Sequence, residues 1–123
     1  MNRLGIDYGT KRVGIAISRD GLKISYPLCV LDEKTAVDEI KRIINDEKIK
    51  EVIVGLPRNL NGDDTNQTAL TLKFINKLRK CINIQIILQD EAGTTSQAIE
   101  YGAHKDIDAV AASVILQDYL EQN

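Results

Sequence analysis

The spacing of apolar residues changes partway along the chain, and this change constrains the fold more than any other feature. Residues 12–18 (Arg-Val-Gly-Ile-Ala-Ile-Ser) alternate at period two, so Val13, Ile15 and Ile17 share one face of a strand. A second short apolar run, residues 3–7, precedes it. The turn-like Tyr8-Gly9-Thr10-Lys11 between them predicts a hairpin. Asp20-Gly21 marks a further turn and residues 23–31 a third strand. Pro27 has no N–H to give to a ladder, which predicts an edge or a bulge there. Beyond residue 35 the helical period takes over. Residues 35–47 put Val37, Ile40, Ile43 and Ile44 on one helical face. The β-branched run 51–55 and the apolar run 84–88 then read as strands. They are separated by a loop over residues 56–64, rich in Pro, Asn, Gly and Asp, and by a helix. Asp64 or Thr65 caps that helix, which carries Leu70, Phe74, Leu78 and Cys81. A short helix over residues 94–101, stopped at Gly102, and a final helix over residues 107–120 complete the chain.

The order β-β-β-α-β-α-β-α-α predicts an α/β fold built on a mixed five-stranded sheet. The sheet is antiparallel at one side, where the meander lies, and parallel at the other. Right-handed crossovers place helices on both faces, which is the ribonuclease H-like arrangement. A length of 123 residues fits a single domain over 1–123 with a core of its own. No stretch approaches the ~20 apolar residues of a membrane span, and the N-terminus lacks the pattern of a signal peptide, so a cytoplasmic protein is expected. Cys29 and Cys81 lie in apolar segments without zinc-site spacing and read as buried, reduced thiols. The net charge of −2 argues against a domain that grips nucleic acid by charge alone. It leaves open one that meets phosphate through a metal. With no Trp and one Phe, an aromatic stacking platform is not expected.

Ligands in open α/β sheets collect at the carboxyl ends of strands. Asp7 closes the first predicted strand, and Asp90 and Glu91 follow the last one. Asp108 opens the final helix on the same side as Ala111, Ala112, Ile115 and Leu116, an inward position for a carboxylate. The small residues Ala109, Ala111, Ala112 and Ser113 let that helix approach the sheet closely. Hard divalent cations take oxygen ligands, and a bound ion relieves the repulsion among convergent carboxylates. Asp7, Glu91 and Asp108 are therefore the candidate catalytic residues and ligands for Mg²⁺ or Mn²⁺. Each also has a plain reading: an Asx turn for Asp7, a solvated loop acid for Glu91, a dipole-favoured helix acid for Asp108. Asp106, the rival third acid, reads as the helix N-cap.

The run Gly5-Ile-Asp7-Tyr-Gly9-Thr-Lys11-Arg12-Val-Gly14-Ile-Ala16 resembles the opening motif of the bacterial Holliday junction resolvase family, also called precursor ribosomal RNA nucleases (YqgF-like). Further stretches match in order: Ile53-Val-Gly55-Leu-Pro57 with Gly62 beyond, Asp90-Glu91, and Ile107-Asp108-Ala-Val-Ala-Ala112 leading into Ile115-Leu116-Gln117. The resemblance covers nearly the whole chain. It implies a ribonuclease H-like fold and a metal-dependent nuclease acting on structured nucleic acid, in maturation of the 5′ end of small-subunit ribosomal RNA or on branched DNA. The family's acidic positions fall on Asp7, Glu91 and Asp108. One departure stands out: the family usually continues Asp-Glu-Arg, whereas Ala92 and Gly93 follow Glu91 here.

Beside Asp7, Thr10, Lys11 and Arg12 are candidates for phosphate contact through backbone N–H and basic side chains; the alternative is a solvated turn. Asn59 is a further substrate-binding candidate, although it, Asn61, Thr65 and Asn66 also suit plain turn chemistry. Thr94, Thr95 and Ser96 read as caps, and His104 as a surface residue or a general acid. Two other functions compete. Asp-x-Gly-Thr in a hairpin also resembles the first phosphate loop of actin-like ATP-binding proteins, although those use two such domains. A non-catalytic nucleic-acid-binding or ribosome-assembly module fits the acidic pI of about 5.4. The chain reads as a monomer or a homodimer, since cutting two strands of a junction would need two active sites.

Overall fold

A computed structural model describes residues 1–20, 22–91 and 107–122. Its five strands are β1 (Asn2–Tyr8), β2 (Arg12–Ser18), β3 (Tyr26–Asp32), β4 (Ile49–Leu56) and β5 (Gln85–Asp90). They form one sheet in the order β3-β2-β1-β4-β5. The β1–β2 and β2–β3 pairs are antiparallel, and the β1–β4 and β4–β5 pairs are parallel. The mixed sheet expected from the order of elements is therefore present. Pro27 lies on the edge strand β3. There the register slips between Ile15 and Ala16, which pair with Cys29 and Pro27. Edge and bulge coincide, as a residue without an N–H requires.

Three helices are described: α1 (Ala36–Asp46), α2 (Asn66–Arg79) and α3 (Ile107–Gln122). A turn of 3₁₀ helix, Glu33–Thr35, leads into α1. Thr65 caps α2. Its side chain accepts from the Thr68 N–H, and the Thr68 side chain takes the Thr65 N–H in return. The short helix expected over residues 94–101, and with it Ala92, Gly93, Thr94, Thr95, Ser96, His104 and Asp106, lies outside the described residues.

Strand alternation divides the core in two. Leu4, Ile6, Val13, Ile15, Ile17, Val52 and Val54 point to one face, where Ala36 and Ile40 of α1 and Phe74, Ile75 and Leu78 of α2 cover them. Tyr8 joins this face and stacks on Phe74, ring centroids 4.5 Å apart. On the other face Ala16 and Ile53 meet Ala112, Ile115, Leu116 and Leu120 of α3. Helices thus lie on both faces. The apolar side of α2 differs from the expected one. Phe74 and Leu78 are buried as predicted, but Leu70 is exposed and Thr71 and Ile75 take the remaining inward positions. Cys81 falls beyond the helix end and is exposed, and Cys29 is half-buried, so the expectation of two buried thiols does not hold. The two errors have separate causes. The helix ends at Arg79, so its apolar stripe does not reach residue 81, and Leu70 lies beside the inward stripe of Thr68, Thr71, Ile75 and Leu78.

Candidate active site

The face under α3 has three glycines where large residues would otherwise stand. A Cβ on Gly5 would lie 2.8 Å from Leu116 Cβ and 2.9 Å from the Ala112 carbonyl oxygen. On Gly14 it would lie 1.8 Å from the carbonyl oxygen of Asp108 itself. The backbone of α3 at its first turn therefore rests directly on β2. Small residues on the helix (Ala109, Ala111 and Ala112, all buried) complete the close approach. The small residues of the helix are legible in the sequence; the matching glycines on the strands gain their meaning only here. The available signal was their position on Asp7's face, two residues before it on β1 and directly across from it on β2.

Asp7 sits in the middle of this arrangement. It lies on β1, the central strand, and pairs with Gly14 of β2. By strand alternation it shares the α3 face with Gly5. Burial, and after it the negative charge of Asp108, push the Asp7 carboxyl up to about 7. Asp108 is thus near enough for its charge to act on Asp7. It also forms an ion pair with Arg12, whose Nε donates to Oδ2 at 2.9 Å.

Glu91 arrives from the other side. Its N–H donates to the Leu56 carbonyl at 3.1 Å, which continues the β4–β5 ladder by one bond. Its Cγ lies 3.0 Å from where a Gly55 Cβ would stand, and both carboxylate oxygens are buried. Gly55 follows Val54, the β4 partner of Ile6, so it adjoins Asp7. Two glycines therefore flank Asp7, Gly14 under the Asp108 backbone and Gly55 under the Glu91 side chain. Asp7, Glu91 and Asp108, far apart in sequence, thus gather around one end of the sheet. Among the described residues they do not form a ready-made cluster of three metal ligands. Asp108 is turned toward the Arg12 guanidinium. The donor set is nevertheless of the right kind for a hard cation: oxygen only, partly desolvated, and holding one carboxyl that burial keeps from ionising readily.

The remaining candidates divide. Arg12, at the start of β2, is exposed apart from its contact with Asp108. Thr10 and Lys11 lie exposed in the β1–β2 turn next to it, and the Lys11 carbonyl accepts the Glu33 N–H at 3.1 Å. Asn59 organises its own loop: Oδ1 accepts from the N–H groups of Asn61 at 3.0 Å and Asp63 at 2.9 Å. Gly62 closes that turn at φ 82°, a left-handed conformation that favours glycine. One residue not singled out from the sequence also belongs here. Arg58, two residues beyond β4, contacts Asp90 through Nε at 3.1 Å and Asp64 through Nη1.

The fold matches solved resolvases at low sequence identity. RuvC of Thermus thermophilus, in complex with a Holliday junction substrate, aligns with 99% of this chain and 95% of its own at a TM-score of 0.63 and 13% identity. The Fowlpox virus resolvase, in complex with Holliday junction DNA, covers 99% and 98% at a TM-score of 0.58 and 14% identity. Sequence relatives are nearer. A protein of Rickettsia africae named "Putative pre-16S rRNA nuclease" is 39% identical over 130 residues, spanning 96% of this chain and 84% of that protein. A protein of Rickettsia bellii with the same name is 36% identical over 129 residues, with 95% and 84% covered. These matches favour a nuclease over the ATP-binding and non-catalytic readings. The model of the RuvX family, described as Holliday junction resolvase, matches residues 1–122, and the chain belongs to this family of enzymes acting on phosphodiester bonds.

Proposed function

We propose that the protein is a cytoplasmic, single-domain, divalent-metal-dependent nuclease that trims structured precursor RNA of the small ribosomal subunit. Asp7, Glu91 and Asp108 carry the chemistry. The observation that supports this most is the placing of Asp7. A carboxylate on the central strand, flanked by two glycines that admit Asp108 and Glu91, has little structural use, and its burial costs stability unless a ligand repays it. The name of the sequence relatives supports RNA as the substrate. None of the described helices is long and apolar enough to cross a membrane.

On this reading Asp7 and Glu91 hold Mg²⁺ or Mn²⁺, and Asp108 turns from Arg12 to complete the set. A bound ion of this kind activates water and stabilises the leaving oxygen. Arg12, freed from Asp108, together with Lys11 and the backbone at Thr10, binds substrate phosphate beside the acids. Asn59 keeps the β4–α2 loop shaped against the same substrate. The deciding experiment is cleavage of labelled precursor ribosomal RNA and of a four-way DNA junction in Mg²⁺ or Mn²⁺, with Asp7→Asn as control. RNA cleavage by the wild type and none by the variant is the expected outcome. Junction cleavage alone would move the substrate to branched DNA. Full activity in Asp7→Asn would remove the site.

A further inference from the structure

β5 is the less protected edge of the sheet. It pairs with β4 alone, and none of its six residues is fully buried. Yet it delivers Glu91, whose side chain must reach the α3 face to stand beside Asp7. Side chains alternate along a strand, so the face that Glu91 takes is set by the face that Asp90 takes. Asp90 is largely exposed. What holds it is Arg58. Its side chain, less exposed than those of its partners, reaches Asp90 at 3.1 Å and Asp64 just before the α2 cap. It ties the end of β5 to the loop that follows β4. With two carboxylates on one guanidinium, the bridge also leaves little positive charge to offer a phosphate.

We propose that Arg58 is a positioning residue. By holding Asp90 on the α2 side of the sheet, it fixes Glu91 on the α3 side, against Gly55 and next to Asp7. The effect on cleavage rests on the nuclease reading above; the effect on Glu91 does not. The test uses Arg58→Gln, Asp90→Asn and the double variant of the full chain, with two readouts. Amide hydrogen exchange at Glu91, whose N–H is bonded to Leu56, reports the anchoring of the strand end directly. Steady-state cleavage of precursor RNA separates kcat from KM. We expect each single variant to exchange the Glu91 amide about tenfold faster and to lose about tenfold in kcat with KM nearly unchanged, because a misplacement of ~1 Å costs up to about a hundredfold. The double variant should be no worse than either single one, since both remove the same contact. Asp90→Asn alters that contact from its exposed side and keeps the test open should Arg58→Gln fold poorly. Unchanged exchange at Glu91, additive losses, or a raised KM at unchanged kcat would overturn the proposal, the last by making Arg58 a substrate contact. If the wild type cuts nothing, the nuclease reading fails alone, and exchange at Glu91 still decides the role of Arg58.

Discussion

The closest approach in the site is between Gly14 and the first turn of α3, and Gly14→Ala tests whether that approach matters. The added Cβ would sit 1.8 Å from the Asp108 carbonyl oxygen, 2.2 Å from its carbonyl carbon and 2.8 Å from the Ala109 nitrogen. Carbon and oxygen need about 3.5 Å. Helix and strand must therefore part by roughly 1.5 Å, and every colliding atom is backbone, so no rotamer change relieves the clash. Overpacking of this kind costs about 1–3 kcal/mol. The shift carries Asp108 away from Asp7, and at that displacement a loss of about a hundredfold in kcat is expected. Gly55→Ala is the internal comparison. Its Cβ meets the flexible tip of Ile115 at 2.5 Å and Glu91 Cγ at 3.0 Å, contacts that side chains can relieve. It should lose less stability than Gly14→Ala while still disturbing Glu91. The assay is cleavage of precursor RNA well below the melting midpoint, alongside thermal unfolding of each variant. A Gly14→Ala protein with wild-type kcat and wild-type melting would refute the claim that strand glycines set the distance between the acids.

Three further outcomes follow from the same geometry. The Asp7 carboxyl titrates near 7 when folded, against 3.8 as its ordinary value, so between these two pH values the folded state holds a proton that the unfolded state has released. Metal-free wild type should therefore lose stability as pH rises from about 4 to 7, by at most ~4 kcal/mol from this group, and Asp7→Asn should flatten that slope in pH-dependent denaturant melts. Arg12→Gln should weaken RNA binding and lower the salt dependence by about one phosphate contact, as read from binding isotherms at several salt concentrations; an unchanged slope would leave Arg12 as a partner of Asp108 only. Phe74→Ala, on the face away from the site, removes the ring under Tyr8 and should cost about 3–5 kcal/mol in denaturant unfolding while leaving kcat unchanged at a temperature where the protein is folded.

Periodicity, with turn chemistry and crossover handedness, determined the order of the described elements, the mixed sheet and the two-sided helix packing, because strand and helix periods are local properties of side-chain direction. It also singled out Asp7, Glu91 and Asp108, since the ends of strands and the start of an apolar helix can be recognised along the chain. Tertiary structure decided what periodicity cannot carry. The inward face of α2 centres on Thr71, Ile75 and Leu78 with Leu70 beside it, and the helix stops at Arg79, short of Cys81. The uses of Gly5, Gly14 and Gly55 appear only once α3 is laid on the sheet, because a glycine's purpose is the atom that would collide with its missing Cβ. The pairings of Arg12 with Asp108 and of Arg58 with Asp90 join residues 96 and 32 positions apart. Arg12 meets Asp108 because α3 lies on β2, and Arg58 meets Asp90 because β5 lies beside β4, so sequence could nominate the acids but only tertiary packing could pair these charges.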